Sequence, residues 1–164
     1  MSQEQNFKII SGGQTGADRA ALDWAIKNNI PHGGWCPAGR KAEDGPIPPC
    51  YNLLETESAE YPVRTEKNVL ESDATAIFST NENHDRGTLL TINLLKKHKK
   101  QYVLITNKYG LENAVKLLDA FLNKANPKVL NIAGPRQSIQ PDVYDFVLKV
   151  LEKSAWLKQF INKI

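Results

Sequence analysis

FKIISGGQTGADRAALDWA, residues 7–25, changes its hydrophobic period in mid-course. Phe7, Ile9 and Ile10 make a short apolar run of strand type that stops at Ser11-Gly12-Gly13. From Gly16 onward the apolar positions, Ala20, Ala21, Trp24 and Ala25, recur with helical spacing on one face. A strand that passes through a glycine-rich turn into a helix is the opening half of a βαβ unit. Trp24, in step with the three alanines, reads as a core residue.

The same alternation continues along the chain. A weak strand is expected around Gly34-Trp35-Cys36, a buried-type strand over 75–78, a helix over 89–95, a strand over 102–106, a helix over 111–122 and a strand over 129–133. Pro141 then opens a long closing helix from Asp142 to about Ile161. Five short apolar strands separated by helical connections pair in parallel, because such crossovers cannot form hairpins. The expected architecture is one α/β domain spanning residues 1–164, a doubly wound, mainly parallel Rossmann-like sheet with helices on both faces. The first strand is expected at its centre. Residues 37–62 break the rhythm with five prolines, at 37, 46, 48, 49 and 62. A long loop without periodicity but stiffened by proline reads as an ordered lid.

Composition narrows the function classes. At 164 residues, 41% hydrophobic and 24% charged, the chain is of ordinary globular type, which excludes disordered and collagen-like classes. Its 21 Lys and Arg against 18 Asp and Glu give a net charge of +3, compatible with an anionic small ligand but not the dense basic face of a nucleic-acid binder. The one basic run, Lys96, Lys97, Lys99 and Lys100, reads as a solvated helix end. No stretch approaches the ~18 apolar residues of a membrane span, so no membrane partner is expected. The polar start, Met1 to Asn6, does not read as a signal peptide. Cys36 and Cys50 read as free thiols, and the expected location is the cytoplasm. No metal site is read, since His32 and Cys36 stand too far apart along a strand and the other histidines lack partners at ligand spacing.

Three turns carry candidate binding chemistry. In Gly12, Gly13, Gln14, Thr15 and Gly16, followed by Asp18, a glycine-rich turn opens a helix, which suits a phosphate. The bland alternative is a tight turn that needs positive φ. The spacing fits neither the Walker pattern nor G-x-G-x-x-G. Gly87 and Thr88 open a second helix, where Thr88 is either a ligand hydroxyl or a plain cap. Gly134, Arg136 and Ser138 follow the last strand, where Arg136 is placed to fork onto a phosphate. Trp35, beside the lid, is placed either to stack on a flat ring or to pack beneath the loop.

The segments SGGQTGADRAALDWA (11–25), GGWCPAGRKAEDGPIPPCYNL (33–53), YPVRTEKNVLESDATAIF (61–78), RGT (86–88) and NIAGPRQS (131–138) together resemble the molybdenum carrier family, Rossmann-like proteins related to molybdenum cofactor carriers. They resemble more distantly the LOG-type phosphoribohydrolases, which bind nucleoside monophosphates. The resemblance implies that the three turns hold the phosphate end of molybdopterin, the molybdenum cofactor, or of a nucleotide. It also implies that Arg64 points into the same cleft and that Arg40 and Asp44 reach it from the lid. The phosphoribohydrolases carry Pro-Gly-Gly-x-Gly-Thr-x-x-Glu, whereas this chain reads His84-Asp85-Arg86-Gly87-Thr88-Leu89-Leu90-Thr91. Thr91 lacks the carboxylate that such cleavage uses. Gln137 likewise stands where the family often has Glu. A carrier is therefore expected before a phosphoribohydrolase, for which Asp18, Glu43 or Asp44 would have to supply the acid, or a nucleotide-sensing module. The resemblance further implies a homo-oligomer, with Trp156, Phe160, Ile161 and Ile164 either forming its interface or packing back on the sheet.

Overall fold

The computed structural model describes residues 6–161. Strand β1 (Lys8–Ile10) runs into helix α1 (Ala17–Lys27), as the change of period requires. The chain then forms β2 (His32–Gly33) and β3 (Trp35–Cys36), which belong to different sheets. Gly34 separates them. Its φ is +125°, and a Cβ there would lie 2.2 Å from the Ser11 carbonyl oxygen. The single weak strand expected at 34–36 is thus corrected: the chain kinks at a residue that only glycine fits.

The lid region holds β4 (Lys41–Ala42), β5 (Gly45–Pro46) and β6 (Leu54–Glu55). β4 and β5 form an antiparallel hairpin with Glu43-Asp44 as its two-residue turn, and β6 pairs with β3. Ala42, Ile47, Tyr51 and Leu53 are buried with Leu22 and Cys36 in a small core of their own. Then follow α2 (Tyr61–Glu71), β7 (Ala74–Ser79), α3 (Arg86–Lys97), β8 (Gln101–Thr106), α4 (Leu111–Ala125) and β9 (Val129–Ala133). The expected single closing helix is instead two, α5 (Val143–Lys153) and α6 (Ala155–Lys158). Ser154 breaks it: its hydroxyl accepts from Leu157 N (3.1 Å) and donates to Asp119 of α4 (2.5 Å).

The main sheet is parallel throughout, in the order β2-β1-β9-β7-β8. The centre therefore belongs to β9, the last strand, and β1 lies beside it rather than in the middle. The order has a simple reading. Counted from β9 and continued through the chain ends to β1, it becomes 3-2-1-4-5, the doubly wound Rossmann order with its first strand central. The sheet is a circular permutation of that order, and the two ends of the described residues come together as permutation demands. Phe7 stacks on Phe160 at 4.6 Å and meets Trp156 edge-on at 5.2 Å. Trp156, Phe160 and Ile161 thus pack back on the main core, and Ile164 lies outside the described residues.

Helices α1, α4, α5 and α6 cover one face over the large core that includes Trp24, Phe78, Leu118 and Val147. α2 and α3 cover the other, over Val69, Ile77, Ile92 and Leu95. A chain re-opened between Asn126 and Pro127, with its present ends joined by a short flexible linker, is expected to fold and melt cooperatively. Circular dichroism of the permuted chain checks this, and a non-cooperative melt would contradict the permutation.

Candidate functional site

After β9 the chain turns to one face of the sheet, and after β7 to the other. The loops diverge there and leave a crevice at the carboxyl ends of the strands, where doubly wound sheets bind their ligands. The crevice holds about 340 Å³, a small-molecule volume. Its floor is Asn131–Gly134, the end of β9. Asn131 is buried and donates to Thr75 of β7 at 3.2 Å, tying the two strands beneath it. Gly12, Gln14 and Asp18 form one wall. Tyr61, Arg64, Thr65 and Asn68, one stripe of α2 at helical spacing, form the second. The third comes from the start of α3, from Asp85 to Thr91, with Arg136 and Ile139 at the rim.

Arg64 and Asp18 face each other across this cleft. Arg64 Nη1 donates to Asp18 Oδ2 at 3.2 Å, and both side chains are about nine-tenths buried, at 12% and 8% exposed. Gly12 permits the approach, because a Cβ there would lie 1.6 Å from Nη1. Burial pushes the Asp18 carboxyl above its ordinary value, against the opposing pull of Arg64 and of the Gln14 amide. The Nε of Arg64 is buried without a partner, an unmet donor in the cleft wall. Tyr61 places its ring 5.4 Å from the Arg64 guanidinium and 4.8 Å from Lys41 of the lid hairpin.

The three turns that suit an anion are each closed by an oxygen of the chain itself. Gln14 N donates to Asp18 (3.2 Å), Thr15 N to the Gln14 side chain (3.0 Å) and Ala17 N to Pro135 O (3.3 Å). At α3, Asp85 is the N-cap: it accepts from Gly87 N at 3.3 Å and from the Thr88 hydroxyl at 2.5 Å. Thr88 is therefore not the cap itself; its hydroxyl is held by the cap residue. In the last turn, Gln137 N donates to the Thr15 hydroxyl (3.1 Å) and Ser138 N to Glu43 (3.1 Å). The glycines follow this packing. Gly13 would push a Cβ to 2.6 Å from Leu53 in the lid core, and Gly16, at φ +82°, to 2.6 Å from Pro135 O.

Glu43 and Asp44, the hairpin turn, latch the lid. Glu43 accepts from the hydroxyls of Thr15 and Ser138 and from Ser138 N, while Asp44 forks onto Arg19 at 2.5 and 2.8 Å. Burial works to raise the Glu43 carboxyl, but the Ser138 and Thr15 hydroxyls outweigh it and hold it below its ordinary 4.5. Arg19 holds Asp44 below 3.8. Arg40 lies inside the lid, donating to the carbonyls of Ile47, Pro48, Tyr51 and Leu53.

Of the residues singled out in the sequence, Gly12, Gln14, Asp18, Arg64, Gly87, Gly134 and Arg136 line the cleft together. Gly13, Thr15, Gly16, Thr88 and Ser138 stand behind the lining, while Arg40 and Asp44 hold the lid. Trp35 is elsewhere, donating to Glu71 beneath the Lys67 ammonium. Tyr61, Arg86 and Asn131 are lining residues that the sequence reading passed over. Pro62, a first-turn helix signal, marked the helix that carries Tyr61.

A permuted doubly wound sheet with a cationic cleft at its switch point defines the class of protein. Residues 9–155 match the circularly permutated YpsA SLOG family, and the chain belongs to it. Among solved structures it is similar to one titled "Putative molybdenum carrier protein" from Syntrophus aciditrophicus SB, with a TM-score of 0.87 and 46% identity over 90% of this chain and 94% of that one. No curated protein matches. Among the described residues, no helix is long and apolar enough to cross a membrane.

Two outcomes follow from the latch and the turns. Gly16→Ala, strained in both φ and contact, is expected to destabilise the fold by at least about 2 kcal/mol in chemical denaturation; a change within about 0.5 kcal/mol would contradict the packing described. The depressed Glu43 and Asp44 carboxyls make hairpin docking fully present above the ordinary carboxylate range and progressively lost as pH falls through their lowered values. The Ala42 and Gly45 amide signals in an NMR titration are expected to move together over that acid interval, and to stay still from there to neutrality.

Proposed function

We propose that the cleft is the binding site of a carrier, holding a phosphate-bearing, ring-containing ligand of the pterin or nucleotide class. The observation that carries this reading is Arg64, a buried guanidinium in the cleft wall with one hydrogen bond and an unpartnered Nε. A buried donor in that state calls for an anionic acceptor. Arg86 and Arg136 also line the cleft, so three guanidinium groups surround it against the carboxylates of Asp18 and Asp85. The phosphate end belongs with these arginines. Leu90, Ile132 and Ile139 supply an apolar side for a flat ring. The amides of Gln14, Thr15, Ala17, Gly87, Gln137 and Ser138 are already engaged within the protein, which moves the weight of recognition toward the guanidinium groups.

The similarity to the structure titled as a molybdenum carrier makes molybdenum cofactor the first ligand to test. The residues fit it through its phosphate and pterin, with Arg64 and Arg136 as holders, and the metal arrives as cargo on the pterin. A phosphoribohydrolase is the second reading. It is favoured by Asp18, a buried acid in the wall whose carboxyl burial raises. Thr91, where the hydrolases carry glutamate, instead bonds the Gly87 carbonyl at 3.0 Å.

Native mass spectrometry with molybdenum cofactor, and separately with AMP, tests both readings. The expected result is retention of intact cofactor, AMP left whole, and affinity reduced about 10- to 100-fold in Arg64→Met, the loss of a charged hydrogen bond. Release of adenine and ribose phosphate would overturn the carrier reading in favour of the hydrolase.

A further inference from the structure

The three internal acids that close the turns are not equivalent. Asp18 is buried in its own helix and paired with Arg64, and Asp85 accepts from the Gly87 amide and the Thr88 hydroxyl, within three residues of itself. Glu43 comes from far along the chain, 95 residues from Ser138, and sits on the tip of an exposed hairpin.

The donors around Glu43 form a set. One carboxylate oxygen accepts from the Thr15 hydroxyl and from Ser138 N at 3.1 Å. The other accepts from the Ser138 hydroxyl at 2.5 Å, with Arg136 Nε at 3.9 Å. A backbone amide, two hydroxyls and a guanidinium around one anion is the donor set that proteins use for phosphate. The carboxylate that fills it rides on a hairpin tip that is also held by the Asp44–Arg19 fork and by Glu43 N donating to Gln14 Oε1 at 2.9 Å. Gly39 precedes the hairpin and Gly45 follows its turn, at φ +77° and +111°, with nothing within 4 Å of where a Cβ would stand, so conformation rather than packing selects them.

We propose that Thr15, Arg136 and Ser138 form an oxyanion subsite in which Glu43 is a built-in stand-in, so that a phosphate-class oxyanion takes its place and releases the lid hairpin. The proposal rests on the cleft's anion-binding character, since Arg136 belongs to both. It adds a selectivity rule. A tethered carboxylate competes at high effective concentration, so simple carboxylates are excluded. A tetrahedral dianion brings more oxygens and more charge to the same donors and displaces it.

The test uses the whole chain and inorganic phosphate, followed by calorimetry. Glu43→Gln removes the competing charge and is expected to bind phosphate about tenfold or more tighter than the unaltered protein. Ser138→Ala added to it is expected to abolish the gain. Were Glu43 only a structural latch, Glu43→Gln would bind phosphate no tighter, and that result overturns the proposal. So does a gain that survives Ser138→Ala, or one lost in Arg64→Met, which would put the ion in the main cleft. Should Glu43→Gln fail to fold, amide exchange of residues 41–46 in the unaltered protein decides: faster exchange at saturating phosphate supports displacement, and unchanged exchange overturns it. The carrier reading fails separately, if neither cofactor nor AMP binds while the phosphate gain persists.

Discussion

Gly16 meets the turn between Pro135 and Gln137 at a distance no side chain allows. It does so at a φ that L-residues rarely adopt, and Ala17 N and the Thr15 hydroxyl bond across the same contact. Much of the site follows from this. The contact locks the end of β1 to the end of β9, neighbours in the sheet but more than a hundred residues apart in sequence. Once they are locked, Asp18 faces the cleft beside Arg136, and the Thr15 and Ser138 hydroxyls lie close enough for one lid carboxylate to span them.

Many of the polar groups around the cleft are answered within the protein. Each of the three turns has amides answered by an internal oxygen, whereas the buried Nε of Arg64 on α2 has no partner. Burying a fully unpaired guanidinium would cost several kcal/mol, so Asp18 supplies a partner. It does so incompletely, through one nitrogen of the fork. The result is a cleft whose buried unmet guanidinium donor lies on the α2 wall.

Much of this was legible along the chain. The segments around β1, β7, β8 and β9 declare themselves by apolar runs, and α1, α3 and α4 by helical spacing, because each buries a face against the sheet. α2 escaped for a physical reason. Its inward residues at 61, 64, 65 and 68 line a cleft and are polar or amphipathic, so the usual apolar stripe is missing. The strand order escaped because permutation leaves local sequence untouched and changes only which ends meet. Among the site residues, the turn glycines were visible but their purpose was not. Sequence cannot tell a glycine that admits a ligand from one that admits Arg64 or the Pro135 carbonyl. Glu43 was visible only as one possible acid, since its role depends on a lid folding back onto two distant turns.

The stacking of Phe7 on Phe160 lies at the start of β1, at the opposite end of the sheet from the cleft. Both ends of the described chain therefore lie on the side away from the cleft. A tether, a surface or a second domain attached at either end would leave the mouth of the cleft facing outward.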